Sequence, residues 1–94
     1  MSQEEKLVEI ISALEEAASS GDLRLETFQA LVPKTLELLS IDQEICEYFD
    51  MSQFSLLKWK QGLGAIAPIL RTHVYLYLKV KAERDLMRLE GINV

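Results

Sequence analysis

Four sets of side chains in this sequence belong to types that carry chemistry, and their spacing separates them. The carboxylate pairs Glu4/Glu5 and Glu15/Glu16 have the groups for acid–base work. Such work needs two carboxyls in contrasting environments around a substrate, whereas neighbouring acids on an outer helical face are simply solvated. Cys46 and His73 are the single cysteine and the single histidine. A thiolate nucleophile needs a base within hydrogen-bond reach, and these two fall in separate predicted helices. One of each also cannot furnish a disulfide framework, a zinc knuckle or a His-rich metal site. Gly62 and Gly64 lack the third glycine and the lysine of a phosphate-cradling loop. The expectation is therefore no enzyme, no metal and no cofactor.

The elements that must position any remaining site are helical. Ser2 followed by Glu5 is a capping-box pattern, and Leu7, Ile10, Ile11, Leu14 and Ala18 then recur at helical spacing up to Ser19-Ser20-Gly21. Asp22 is the expected cap of a second helix with a stripe of Phe28, Leu31 and Val32. Pro33 either kinks that helix or starts a new one, and Leu36 and Leu39 continue the stripe. Asp42 is the expected N-cap of a short third helix ending at Phe49, with Ile41 and Cys46 as a hydrophobic staple. After Asp50-Met51-Ser52, Ser52 caps a fourth helix to about Lys60. Gln61-Gly62-Leu63-Gly64 reads as a loop, and a last helix runs from Pro68 toward Glu90 with Gly91 as its stop. Val74 to Lys81 alternates strictly, as a strand does. No second strand exists to pair with it, so the segment is expected to be helical. The fold class is all-α: one small five-helix domain over residues 1–94, with a helix-turn-helix at 42–60.

Composition agrees with a globular protein. The 94 residues are 49% apolar and 27% charged. The longest uncharged run, Gln61 to Leu70, is half of what a membrane span needs. Acidic residues throughout the first thirty positions argue against a signal peptide, and the expected location is the cytoplasm. The net charge is −5. It is unevenly placed: residues 1–50 carry twelve acidic and three basic side chains, residues 51–94 three acidic and seven basic. A bipolar chain of this kind can turn a positive face to a polyanion.

Two short helices joined by a three-residue turn make a helix-turn-helix when small and apolar residues sit at the crossing. Cys46 supplies the small residue. Ile45, Phe49, Met51, Leu56 and Trp59 supply the inward side chains, and Asp50 takes the turn position that ordinarily demands positive φ. Residues 42–62, with K-W-K-Q-G at their end and Pro68 soon after, resemble the helix-turn-helix of lambda-repressor-like regulators of bacteria and phage. The resemblance implies a five-helix domain that binds double-stranded DNA as a dimer. Carried over by position, it implies base reading by Gln53, Ser55 and Lys58, phosphate contacts near Lys60 and Gln61, and Ser52 capping the recognition helix with its amides toward the groove. The chemistry suits: glutamine pairs bidentately with adenine, lysine reaches guanine acceptors, and serine serves either. Three departures from the pattern stand out. Phe54 and Leu57 are apolar on the recognition helix, Asp42, Glu44 and Glu47 make the first helix acidic, and Asp50 replaces glycine. Phe54 suits a thymine methyl or a protein partner.

The last helix has too many apolar residues for one core stripe: Ile69, Leu70, Val74, Tyr75, Leu76, Tyr77, Leu78 and Val80. A homodimer through this helix covers the surplus, with Arg71, Lys79 and Lys81 bordering the recognition helix or keeping the dimer soluble. The expected function is a small sequence-specific DNA-binding transcriptional regulator. The alternative is an acidic helical adaptor that presents the same face to a protein.

Overall fold

The computed structural model describes residues 2–91. They form five α-helices, α1 (Gln3–Ser19), α2 (Leu25–Leu38), α3 (Asp42–Phe49), α4 (Gln53–Lys60) and α5 (Pro68–Leu89), with no strand among the described residues. The alternating segment at 74–81 lies wholly within α5, where no partner strand competes with the helix. No helix is long and apolar enough, among the described residues, to cross a membrane.

Local chemistry explains most boundaries. Ser2 Oγ accepts the Glu5 backbone N–H at 3.2 Å and donates to Glu5 Oε1 at 3.2 Å, so Ser2 caps α1 as the spacing predicts, with Glu5 meeting the Ser2 hydroxyl in place of its backbone N–H. Asp22 does not cap α2; Arg24 holds that place without a side-chain cap. Gly21, at φ +66, turns the chain, and Asp22 then accepts the Arg24 backbone N–H at 3.0 Å as an Asx turn. The same carboxylate takes the Arg24 guanidinium at 2.9 Å and the Thr27 hydroxyl at 2.7 Å. These bonds hold it well below the usual carboxylate range. Pro33 does not break α2. Its missing N–H frees the carbonyl of Gln29, beside which the chain passes at Gly62. Asp42 is likewise not a cap: Ile41 occupies the N-cap of α3, and Asp42, in its first turn, pairs with Lys60 of α4. α5 starts with Pro68 in its first turn and stops at Gly91, whose φ is +78.

α1 and α5 form the most extensive helix pair, with α2 against both α1 and α4. The inward stripe of α1 is Leu7, Ile10, Leu14 and Ala17, one position off the expected Ala18, with Ile11 half-buried beside it. From α5 come Val74, Tyr75, Leu78 and Ala82, and from α2 Phe28, Val32 and Leu36. Thr35 is fully buried and satisfies its hydroxyl on the Leu31 carbonyl at 2.8 Å. Ile45 and Cys46 of α3 and Leu56 and Trp59 of α4 close the core. Arg71 is a correction to the charge picture: it is buried, donating to the carbonyls of Leu23 at 2.6 Å and Ile66 at 3.2 Å. It ties two loops to α5 and offers no charge to a partner.

Candidate functional site

The α3–turn–α4 unit is built by three local devices. Asp50 ends α3 in the left-handed region at φ 51, ψ 51, the conformation its turn position demands. Its neighbour Met51 sends its N–H back to the Cys46 carbonyl at 2.9 Å, a Schellman-like closure. Ser52 then caps α4, accepting the Ser55 N–H at 3.1 Å and donating to Ser55 Oγ at 3.2 Å. Cys46 lies under this turn with its thiol toward the Ser52 carbonyl at 3.8 Å, and burial pushes its pKa up, away from a reactive thiolate.

Leu56 and Trp59 fix the rotation of α4. The Trp59 ring stands edge-on to Phe28 at 5.1 Å and tilted to Phe49 at 6.2 Å. Gly64 makes this possible, since a Cβ there would stand 2.0 Å from Trp59 Cδ1. Gln29 of α2 secures the same loop by donating to the Gly64 carbonyl at 3.3 Å. With Leu56 and Trp59 inward, Gln53, Phe54, Leu57, Lys58 and Gln61 lie on exposed surface. Phe54 is 66% exposed and Leu57 50%. The Lys58 ammonium sits 4.9 Å from the centroid of the Phe54 ring, a cation–π contact that holds both side chains together.

The structure thus separates the six expected site residues. Gln53, Lys58 and Gln61 are exposed, with no side-chain hydrogen bond or ion pair among the described residues. Ser52 and Ser55 are engaged in the cap. Lys60 is bound to Asp42, so it does not stand free for a phosphate.

That pairing is general. Lys79 meets Glu15 at 3.5 Å, Lys81 meets Glu44 at 3.0 Å, and Arg88 stands 3.8 Å from Asp85. Arg84 binds both oxygens of Glu44 at 3.0 and 3.3 Å. Hydrogen bonds from Arg84 and Lys81 bring the Glu44 carboxyl down to about 2. Of the seven cations in the second half, Lys58 alone has neither a carboxylate nor a carbonyl partner among the described residues. The acidic α3 accounts for three of these pairings: Asp42 holds Lys60 of α4, and Glu44 holds Lys81 and Arg84 of α5.

The surplus apolar surface expected on the last helix is present, and Tyr48 and His73 join it, which the sequence did not indicate. Tyr48 of α3 stacks on His73 at 5.6 Å, with its hydroxyl 3.0 Å from His73 Nε2, and lies 4.4 Å from Tyr77. These rings, with Leu76 and Val80, line an open groove of about 750 Å³ between α3 and α5. The sequence signal was there in the spacing of Ile69, His73, Leu76 and Val80, which share the side of α5 opposite its core stripe. Among the described residues no group of three metal-ligating side chains comes together.

Comparison with protein-family models, with curated proteins and with solved structures finds no match to this chain.

Proposed function

We propose that the protein is a small DNA-binding regulator that reads double-stranded DNA with the outward face of α4, as a homodimer in the cytoplasm. The observation that carries this reading is the presentation of α4 itself. A three-residue turn with Asp50 in the left-handed region, a serine cap and two buried anchors leave one face of an eight-residue helix exposed, bearing Gln53 and Lys58 with Gln61 at its C-cap. Eight residues span about 12 Å, close to the width of the major groove. The exposed seam Ile69, His73, Leu76 and Val80 follows the four-three-four spacing of helix pairing and supports the two-fold partner.

Neutralised cations give this regulator a particular physical character. Phosphate contacts supply sequence-independent affinity and its salt dependence. With Lys60 tied to Asp42, and Lys58 the one cation of this face without an ionic partner among the described residues and placed to read bases, the logarithmic salt slope is expected to be shallow, no steeper than about −1 per protomer. Specificity then rests on base contacts rather than on charge.

The test is selection of bound duplexes from a random pool at low salt, followed by titration of the enriched site. An enriched inverted repeat is the signature expected of the two-fold pair. Lys58→Ala should weaken binding about tenfold and relax the base preference at one position of each half-site. A pool that shows no enrichment, or an enriched site indifferent to Lys58→Ala, overturns the proposal. One observation favours the adaptor alternative: Phe54 and Leu57 put apolar surface on a face that a partner helix can also cover.

A further inference from the structure

α5 carries two stripes. Val74, Tyr75, Leu78 and Ala82 face the core, and on the opposite side Ile69, His73, Leu76, Val80, Glu83 and Met87 recur at alternating steps of four and three residues. On an α-helix these six positions fall within an arc of about 80° and run about 27 Å along the axis. The seam is uncovered, with Ile69 78% and Val80 61% exposed. Its order is symmetric: from either end it runs apolar, titratable, apolar, apolar, titratable, apolar. A second copy of α5 laid antiparallel, with the two-fold axis midway between Leu76 and Val80, therefore sets Ile69 against the partner's Met87. The same placement sets Leu76 against the partner's Val80 and His73 against the partner's Glu83. Each contact occurs twice, as an isologous interface requires. A parallel pairing would instead set Glu83 against its own copy, like charge on like.

We propose that α5 recognises a second copy of itself: two chains pair antiparallel through this seam, with His73 of each donating to the partner's Glu83 on either side of an apolar centre. The inference rests on the homodimer of the proposed function and adds its orientation and its polar contacts. The groups around the seam leave these two residues available. Glu83 has no ion pair or hydrogen bond among the described residues. Across the groove Glu44 is held by Lys81 and Arg84, and Glu47 accepts from Gln43 at 3.2 Å. Tyr48 stacks on the His73 ring and meets its Nε2 at 3.0 Å. With that hydroxyl donating, the neutral ring carries its proton on Nδ1, the atom left for the partner's carboxylate. A polar pair inside an apolar seam also fixes register, because a slip of one turn leaves it unmatched.

The experiment combines sedimentation of the full chain over a range of concentrations with cysteine cross-linking. Ile69→Cys and Met87→Cys change exposed residues and leave the fold intact, checked by circular dichroism, while the native Cys46 is buried. Under mild oxidation an equimolar mixture of the two variants should form a covalent dimer, and neither variant should do so alone. Glu83→Gln should weaken association about fivefold, since two symmetric pairs are lost. Self-linking of either variant alone overturns the antiparallel pairing and leaves the DNA reading standing. A dimer that cross-links in no mixture uses another face and overturns it too. Association unmoved or strengthened by Glu83→Gln overturns the contact between His73 and the partner's Glu83. A monomer at every concentration overturns the inference together with the homodimer. Selection from the random pool then separates that failure from loss of DNA reading, by yielding a single half-site or nothing.

Discussion

The α1–α5 side and the outward face of α4 are built from similar residues to opposite ends. Along α1 and α5 the large apolar residues of the facing stripes are buried, and Lys79 is paired across the interface with Glu15. On α4 the inner residues Leu56 and Trp59 are buried, yet Phe54 and Leu57 beside them stand in solvent, with Lys58 free of any carboxylate among the described residues. One small domain thus holds a closed seam between the facing stripes of α1 and α5, and an open face on α4, where Phe54, Leu57 and Lys58 lie outside the core. Marginal stability makes the contrast informative. A chain of this size is stable by about 5–14 kcal/mol, so residues kept apolar in water without stabilising the fold point to a partner.

The sharpest way to break the contrast is at the joint between its halves. Gly64 lies against the Trp59 ring, and a methyl there would meet Cδ1 at 2.0 Å. The ring cannot retreat, because Phe28 and Phe49 hold it. Gly64→Ala should therefore cost about 2–3 kcal/mol in urea denaturation, the range of overpacked cores. The double variant Gly64→Ala/Trp59→Phe should lose clearly less than the sum of its two single changes. A neutral Gly64→Ala would show that Trp59 does not anchor α4, and the open face would then lose its fixed rotation.

A smaller effect tests the closed side. Tyr75 is fully buried in α5, its ring 6.3 Å from Phe28, and its hydroxyl finds no hydrogen-bond partner among the described residues. Burial pushes that hydroxyl's pKa up. A buried polar group without a partner is unfavourable, so Tyr75→Phe should leave stability unchanged or raise it by up to about 1 kcal/mol. Loss of more than about 1 kcal/mol by the same denaturation measurement would mean that the hydroxyl is bonded in solution and the closed side is less apolar than it stands here.

How much of this was legible beforehand follows from the range of the forces involved. Ser2/Glu5, Ser52 and Asp50 announced themselves because a cap or a left-handed turn is decided within a few residues. Leu56 and Trp59 were legible through helical periodicity. Asp22 and Asp42 have the right type to cap, yet each is drawn off by a basic group, Arg24 in one case and Lys60 in the other. Arg71 gave no sign of burial, because its partners are carbonyls of Leu23 and Ile66, invisible to side-chain patterning. The same holds for charge. The excess of cations after residue 50 is a fact of the sequence, but its neutralisation depends on which acids the tertiary fold brings across from α1 and α3. Composition locates charge along a chain; only packing decides whether that charge remains available.

Glu44 is where that neutralisation can be measured. It accepts two bonds from Arg84 and one contact from Lys81, and these lower its pKa from 4.5 to about 2. A carboxylate whose pKa falls on folding contributes stability that is complete above its unfolded value and lost as pH drops through the folded one. The window is therefore from about 4.5 down to about 2. Glu44 is still 42% exposed, so solvent screening keeps the contribution under about 1 kcal/mol. Glu44→Gln should consequently be slightly less stable than the parent at pH 6, with the gap shrinking below about pH 4.5 and closing as pH falls to about 2. Asp22, whose carboxyl is held low by Arg24 and Thr27, contributes to the acid dependence that survives in the variant. The same substitution releases Lys81 and Arg84 on the α5 side of the groove. If neutralisation by α3 is what restrains phosphate binding, Glu44→Gln should also steepen the salt slope on the enriched site. A stability gap that does not change with pH would place the acid sensitivity elsewhere and leave α3 without this role.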